Sequence, residues 1–125
     1  MKYYHQIDMI ISQASKMYRV PEHLAKAVAW AESKWDSKAS SFDGGHGKGL
    51  FQIDDRFHSF AKTPNVWKTK ANAEYGCKFL HELHQTYKNW PEAIQHYNGS
   101  NDVAKLYAYK VWYYSQVKPW KTFLK

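Results

Sequence analysis

The sequence predicts a mainly α-helical domain with one irregular, glycine-rich insertion. Apolar residues recur at steps of three and four positions along most of the chain, the spacing of the buried face of an amphipathic helix. Between residues 36 and 49 this periodicity is lost and serine and glycine dominate, which is typical of a long loop or a small β-excursion. Because 125 residues suit a single hydrophobic core, we expect one domain over residues 1–125 with about five helices.

The first two predicted helices are separated by Pro21. Ile7 and Ala14 belong to an apolar stripe that ends before this proline. Pro21 then opens a second helix, in which Val28 lies four residues before Glu32 and therefore on the same face. The second helix thus carries an acidic residue on its apolar stripe.

The second half of the chain contains three further predicted helices. The first covers residues 73–87, and a short one follows over residues 91–97. A turn comes next, and Asn101 or Asp102 is expected to cap the last helix, which continues toward Pro119. Together with the first two, these segments make up the five expected helices.

The chain is basic and rich in aromatic residues. Its 18 Lys and Arg against 11 Asp and Glu give a formal net charge of +7, which favours an anionic partner such as nucleic acid, acidic lipid or a charged wall polymer. Aromatic residues make up 18% of the chain, enough to line a groove that stacks bases or sugars. The single cysteine, Cys77, excludes an intrachain disulfide and a cysteine-based zinc cluster, and we expect it to be a small buried residue.

Glu32 is the most informative single residue. Because it shares a helix face with apolar residues and is flanked by Trp30 and Trp35, its carboxyl should lose hydration and its pKa should rise. A carboxylic acid that stays protonated near neutral pH can protonate a leaving oxygen, as glycosidic cleavage requires. The alternative is that Glu32 lies at the edge of the stripe and pairs with Lys34 or another lysine. Its position alone leaves both interpretations open.

Three short motifs follow one another along the chain. Residues 31–33 read Ala-Glu-Ser, residues 47–52 read Gly-Lys-Gly-Leu-Phe-Gln, and residues 97–99 read Tyr-Asn-Gly. This series resembles the goose-type lysozyme and soluble lytic transglycosylase (SLT) superfamily, whose motifs are Glu-Ser, Gly-x-Gly-Leu-x-Gln and Tyr-Asn-x-Gly. The resemblance covers about residues 21–114. The third motif departs from the family, since Tyr-Asn-Gly-Ser stands here for Tyr-Asn-Ala-Gly, and the cysteines of the egg-white enzymes are absent, as in shorter bacterial and phage members.

The resemblance implies a lysozyme-like helical domain whose glycine-rich loop or small β-excursion lines a substrate groove. It also implies a peptidoglycan-degrading muramidase that cleaves the β-1,4 bond between N-acetylmuramic acid and N-acetylglucosamine, with Glu32 as general acid. Glycine in the second motif would let the chain pass close beneath a sugar where a Cβ would clash. The expected substrate-binding residues are Gly49, Gln52, His58, Tyr97 and Asn98.

Asp43 and Asp54 bear on the reaction mechanism. Goose-type lysozymes resemble this chain in their acidic residues around the second motif, and an inverting hydrolysis needs a carboxylate base about 6.5–9.5 Å from the acid. We therefore expect Glu32, Asp43 and Asp54 to be catalytic and the reaction to be hydrolysis. The alternative is a lytic transglycosylase, in which the muramyl 6-hydroxyl attacks and leaves a 1,6-anhydro end. Asp43 would then be a turn residue and Asp54 a helix cap.

Two other functional classes remain open. A non-catalytic cell-wall module would use the same groove only to hold glycan, although the presence of Glu32 argues against it. A nucleic-acid binder is favoured by the charge and by tyrosines near lysines in the last helix, such as Tyr107 and Tyr109, but no nucleic-acid-binding module occurs. His81 and His84 resemble part of a zinc-protease signature, but the spacing is one residue short, so no metal site is expected.

The expected partners are peptidoglycan glycan strands and, through the positive charge, the anionic envelope surface. We expect a monomer without nucleic acid, metal or cofactor. No run of 18 apolar residues exists and residues 1–13 contain no small-residue cleavage site, so neither a membrane span nor a signal peptide is expected. Action at the cell wall or periplasm would then follow synthesis in the cytoplasm and release through a holin or a secretion system, or carriage on a virion.

Overall fold

Five α-helices make up most of the chain in the computed structural model, which describes residues 3–125. They are α1 (Tyr4–Met17), α2 (Glu22–Ser33), α3 (Thr69–Tyr87), α4 (Trp90–Asn98) and α5 (Asp102–Val117). Two short strands, β1 (Gly47–Lys48) and β2 (Ile53–Asp54), lie between α2 and α3. The predicted mainly helical domain with one irregular insertion is confirmed.

One helix begins earlier in the structure than predicted, and the structure contains three 3₁₀ segments that were not predicted. The helix expected over residues 73–87 begins earlier, at Thr69, and two 3₁₀ turns (Ser59–Lys62 and Pro64–Trp67) precede it. A third 3₁₀ segment, Pro119–Leu124, follows α5. These short segments were not predicted because four to six residues are too few to reveal a period.

Side-chain caps fix the start of the last two helices. The Asn89 side chain accepts a hydrogen bond from the Glu92 amide at 2.9 Å, and the Asn101 side chain accepts one from the Ala104 amide at 3.0 Å. Each bond satisfies an amide that has no partner within the helix. Of the two expected caps for α5, Asn101 is therefore the one that acts.

The buried helix α2 is the centre of the core. Its Ala25, Ala27, Val28 and Ala29 are completely buried, and α2 packs against both α1 and α5. Because these side chains are small, the neighbouring helices approach α2 closely. The last turn of α2, which carries Glu32, is consequently held between packed helices rather than at a mobile end.

The glycine-rich insertion forms a two-stranded antiparallel hairpin anchored to α3. Gly47 pairs with Asp54 across the hairpin, and the turn between the strands buries Leu50 and Phe51 completely. The side chain of the buried Asn72 of α3 accepts a hydrogen bond from the Phe51 amide at 2.7 Å. Its Nδ2 donates to the carbonyl oxygens of Lys48 and Val66. Of the two expectations for the glycine-rich insertion, a long loop or a small β-excursion, the structure forms a β-excursion, which extends beyond the expected residues 36–49 to Asp54. The Asn72 side chain satisfies backbone groups of its turn.

An aromatic cluster joins the two ends of the described chain. Trp35 stacks on Trp120 with ring centroids 5.5 Å apart, and Tyr4 stacks on Phe123 at 4.8 Å. Trp30 of α2 contacts four of these rings. The cluster therefore packs the segment after α5 against α1 and α2.

None of the helices within residues 3–125 is long and apolar enough to cross a membrane.

Candidate active site

A groove of about 690 Å³ runs between the end of α2, the hairpin and the end of α4. Its lining includes seven of the eight site residues predicted from the sequence: Glu32, Asp43, Gln52, Asp54, His58, Tyr97 and Asn98. Arg56, Phe57, Phe79 and His96 also border it. The three sequence motifs therefore come together at one concave surface, although Glu32 and Asn98 are 66 positions apart in the chain.

Glu32 combines a groove position with a raised pKa. It is the residue before the last in α2, and burial raises its pKa from 4.5 to about 7. A hydrogen bond from Tyr107 and the charge of Lys110 act in the opposite direction, because both stabilise the carboxylate. The carboxyl is thus poised between its two protonation states near neutral pH, as a proton donor requires.

Tyr107 is a site residue that the sequence analysis did not find. Its hydroxyl donates a hydrogen bond to Glu32 Oε2 at 2.5 Å, across 75 positions of sequence. The sequence analysis named Tyr107 only with Tyr109, as tyrosines near lysines, whereas Tyr107 is buried on the core side of α5. The available signal was its position on the helix face shared with Ala104 and Val111, which are also buried.

Tyr97 contacts the hairpin through its hydroxyl. This hydroxyl donates a hydrogen bond of 2.6 Å to the carbonyl oxygen of Phe51, while its ring packs at 5.3 Å from Phe79. Burial, followed by the nearby Glu32 carboxyl, raises the pKa of Tyr97 well above its ordinary value, so the hydroxyl remains protonated. Tyr97 therefore holds the end of α4 against the hairpin, and the exposed Asn98 follows it at the groove.

Asp43 and Asp54 are both bound by one arginine. Arg56 Nη2 lies 2.7 Å from a carboxylate oxygen of each aspartate, and Arg56 Nε donates a further bond of 3.0 Å to Asp54. The pKa of Asp43 is lowered by its hydrogen bond from Ser41 and by Arg56, and the pKa of Asp54 is lowered mainly by Arg56. Both aspartates are thus ionised at neutral pH and lie side by side at the groove.

Gln52 lies at the groove but uses its amide group within the hairpin. Its Nε2 donates to the carbonyl oxygens of Ala39 and Gly49 at 2.9 and 3.0 Å, and its backbone is left-handed with φ +51°. A Cβ on Gly47 would lie 2.9 Å from Gln52 Oε1. The glycine at position 47 therefore makes room for Gln52, and Gln52 shapes the loop beneath the groove.

The expected substrate-binding role of Gly49 stays a prediction, and the structure gives this glycine a packing role. Gly49 is buried and is not part of the groove lining. Its φ of +77° is one that glycine adopts without strain, and a Cβ there would lie 2.4 Å from Asn72 Nδ2. The glycine is thus required by the hairpin turn and by packing against Asn72 of α3.

His58 is held in place by aromatic residues of α3. Its Nδ1 lies 2.9 Å from the Tyr75 hydroxyl, and its ring meets Phe79 edge to face at 4.6 Å. Burial lowers the pKa of His58, so the ring is largely neutral at pH 7. With Nδ1 bound to Tyr75, the second ring nitrogen of His58 has no hydrogen bond among those that the structure assigns to this ring, and His58 borders the groove.

His46, Asp54 and Asp55 form the one cluster among residues 3–125 whose ligand atoms could converge on a metal ion, lying within 4.8 Å of one another. These groups already have partners in the protein. Asp55 binds His46 Nδ1 at 2.7 Å and Lys48 Nζ at 3.2 Å, while Asp54 binds Arg56. Since the two cations already neutralise these carboxylates, the cluster is explained as an ion-pair network that stabilises the hairpin.

The fold and the groove together define a class of protein. A helical domain of the lysozyme-like type places one carboxyl of raised pKa at a groove of about 690 Å³. The profile of the family described as "Transglycosylase SLT domain" matches residues 9–113, and the chain belongs to that family. Members of this family are peptidoglycan-cleaving enzymes that act on the cell wall. Comparisons with curated proteins and with solved structures returned no match.

Proposed function

We propose that this chain cleaves the β-1,4 bond between N-acetylmuramic acid and N-acetylglucosamine of peptidoglycan, with Glu32 as the general acid. The observation that carries the proposal is the Glu32 carboxyl itself, which lies at the groove with its pKa raised to about 7 by burial. The chain acts in this proposal as a single catalytic domain and as a monomer, and the reaction requires no metal or cofactor.

The proton step uses both Glu32 and Tyr107. Protonated Glu32 gives its proton to the glycosidic oxygen while the bond from that oxygen to the muramyl C1 breaks. The carboxylate left behind keeps the hydrogen bond from the Tyr107 hydroxyl, and the positive charge of Lys110 favours it further. Groups that stabilise the carboxylate after transfer, without abolishing its protonation beforehand, suit a general acid.

Inverting hydrolysis, in which water attacks the muramyl C1, is the reaction that we prefer. Asp43 and Asp54 are ionised, border the same groove, and are oriented by Arg56. Their carboxylates retain acceptor capacity beyond the bonds to Arg56, so either can hold a water molecule for attack on C1. The proton of that water passes to the carboxylate as the new C–O bond forms.

Transglycosylation is the second candidate. The observation that favours it is that Arg56 bonds to both aspartates and lowers their pKa values, which makes each a weaker base. If the aspartates only position Arg56, the muramyl 6-hydroxyl can attack C1 in place of water and give its proton to the Glu32 carboxylate left by the first step. The product then carries a 1,6-anhydro end.

Mass spectrometry of fragments released from purified peptidoglycan tests both the activity and the mechanism. Glu32→Gln should lower the rate by at least about 10²-fold while the fold is retained, because the amide has similar volume and cannot donate this proton. Asp102→Asn is the matched control, since that carboxyl is fully exposed. Undiminished release by Glu32→Gln would remove Glu32 from the mechanism, and no release by the unaltered chain would favour a glycan-binding module.

The mass of the products separates the two candidates. Reducing muramic ends, one water heavier than anhydro ends, would establish hydrolysis. Asp43→Asn and Asp54→Asn should then lower the rate by about 10²–10⁴-fold in at least one case. Anhydro ends with little loss of rate in either variant would assign both aspartates a structural role.

A further inference from the structure

The outer face of α5 is apolar and exposed. Six large apolar side chains on this face are between 54% and 74% exposed: Val103, Leu106, Tyr109, Trp112, Tyr113 and Val117. The opposite side of the same helix is buried in the core through Ala104, Tyr107, Val111 and Ser115. The helix is therefore apolar on both sides. Packing against the core accounts for the apolar residues of the buried side but not for those of the exposed side.

The exposed side chains form a continuous ridge. Leu106, Tyr109, Tyr113 and Val117 follow one another at steps of three and four residues, so they lie along one line of the helix. Scattered surface apolar residues are ordinary, whereas an aligned patch of this size marks a contact surface. We refer to Leu106, Tyr109, Trp112, Tyr113 and Val117 as the α5 ridge.

A second cavity extends the apolar surface to one side. It has a volume of about 710 Å³ and is bordered by Tyr109 and Trp112 of the ridge and by Trp90 and Ile94 of α4. Glu92 is the acidic side chain in its lining. The cavity offers space beside the ridge for flexible apolar chains.

Lysines surround the ridge. Lys105 and Lys110 are exposed on α5 on either side of it, and Lys121 and Lys125 are exposed beyond the end of the helix. Asp102 is the exposed acidic residue of α5. Two copies of this chain meeting through the ridge would bring like charges together, whereas a surface that is both apolar and anionic would match the ridge and the lysines at once.

We propose that the α5 ridge docks onto the surface of a bilayer that contains anionic phospholipid, with α5 lying parallel to the membrane plane. Leucine and valine would enter the boundary of the acyl chains, tryptophan and tyrosine the headgroup level, and the lysines would contact the phosphates. Because Tyr107 on the inner side of α5 contacts Glu32, docking would place the groove about one helix diameter, ~10 Å, from the lipid. This proposal concerns a surface outside the groove and stands independently of the proposed reaction.

Co-sedimentation with vesicles tests the proposal. The unaltered chain should bind vesicles of phosphatidylcholine mixed with phosphatidylglycerol, and binding to phosphatidylcholine alone should be at least tenfold weaker. Added salt should reduce the binding, because the contribution of the lysines is screened. Equal binding to both kinds of vesicle, or none to either, would overturn the proposal.

Two pairs of substitutions separate the apolar and the charged contributions. Leu106→Gln with Tyr113→Gln leaves the charge unchanged and should weaken vesicle binding at least tenfold, as should Lys105→Gln with Lys121→Gln. Lys62→Gln with Lys68→Gln removes the same charge from exposed positions outside α5 and should have a smaller effect. All six positions are exposed, so each variant is expected to fold, which circular dichroism verifies.

Two readouts identify other occupants of the ridge. Concentration-dependent dimerisation of the unaltered chain that the Leu106→Gln and Tyr113→Gln pair abolishes would assign the ridge to a second copy and overturn the proposal. Vesicle binding that depends on the lysines but not on Leu106 and Tyr113 would show that the surface binds polyanions in general, and would also overturn the docking proposal. Cleavage of short soluble glycan by all these variants should match the unaltered chain, so a failure of the docking proposal is distinguishable from a failure of the proposed reaction.

Discussion

At the scale of single residues, the function of Glu32 depends on two opposing effects. Burial at the end of α2 favours the neutral carboxyl, and the Tyr107 hydroxyl favours the ionised one. The balance leaves a pKa of about 7, at which both forms are populated near neutral pH. A carboxyl with only one of these effects would be either a permanent anion or a poor donor.

The pH dependence of cleavage should follow this balance. Because Glu32 must be protonated to act, kcat/KM should fall as the pH rises above about 7. Tyr107→Phe removes the hydrogen bond that favours the carboxylate, so the decline should move to higher pH. Tyr114→Phe, on the same helix, is the control and should leave the profile in place. An unchanged profile in Tyr107→Phe would show that Glu32 does not govern this limb.

The same pKa shift predicts a pH-dependent cost in stability. An unfolded glutamate titrates near 4.3, so between about pH 4 and 7 the unfolded chain loses this proton before the folded chain does. The free energy of unfolding therefore falls as pH rises through that range. Glu32→Gln should be more stable than the unaltered chain at about pH 8, by about 1–3 kcal/mol, and the difference should vanish near pH 4. Urea unfolding at both pH values measures it, and a constant difference would contradict the assigned shift.

At the scale of elements, the contact between α3 and the hairpin depends on a glycine. A Cβ at Gly76, in the middle of α3, would lie 2.5 Å from the Phe51 ring, which is completely buried. A glycine inside a helix costs about 1 kcal/mol relative to alanine, so the close approach of Phe51 must offset that cost. Gly76 thus lowers the stability of α3 locally, and it allows the Phe51 ring of the hairpin turn to pack closely against the helix.

Gly76→Ala should consequently destabilise the fold despite the higher helix propensity of alanine. We expect a loss of about 1–3 kcal/mol in the free energy of unfolding, since the buried Phe51 ring has little room to move. Lys78→Ala, an exposed position on the same helix, should change stability by less than about 0.5 kcal/mol. Chemical denaturation of the two variants provides the comparison. Stabilisation by Gly76→Ala would mean that propensity outweighs packing at this contact.

At the scale of the whole molecule, the net charge of +7 acts over distances longer than any single contact. We expect this charge to attract the chain to the anionic envelope before the groove engages glycan. Long-range attraction is screened at about 8–10 Å at physiological ionic strength, whereas contacts inside the groove are shorter than this.

Salt should therefore affect the two stages differently. Raising ionic strength should weaken binding to whole cell walls by a larger factor than it slows cleavage of short soluble glycans. Sedimentation with walls and a soluble-substrate rate assay, measured across the same salt series, test this. Identical salt dependence in both assays would show that the charge acts only within the groove.

The sequence by itself predicted the features that depend on neighbours a few positions away. The helices followed from apolar spacing, and a cap at Asn101 or Asp102 followed from residue type before a periodic segment. A raised pKa for Glu32 was one of two interpretations of its place on an apolar stripe. The loss of periodicity and the glycines over residues 36–49 indicated a long loop or a small β-excursion, but not where its strands lie. Local spacing suffices here because one helical turn determines which side chains share a face.

Only the tertiary structure decided which distant groups meet. The hydrogen bond from Tyr107 to Glu32 spans 75 positions, and Arg56 joins Asp43 to Asp54 across the hairpin. Such pairs depend on how α2 crosses α5 and how the loop folds back, and no local period encodes either. For the same reason the sequence did not show which atoms require a glycine at position 49, since they belong to Asn72 of α3 and to the Val66 carbonyl.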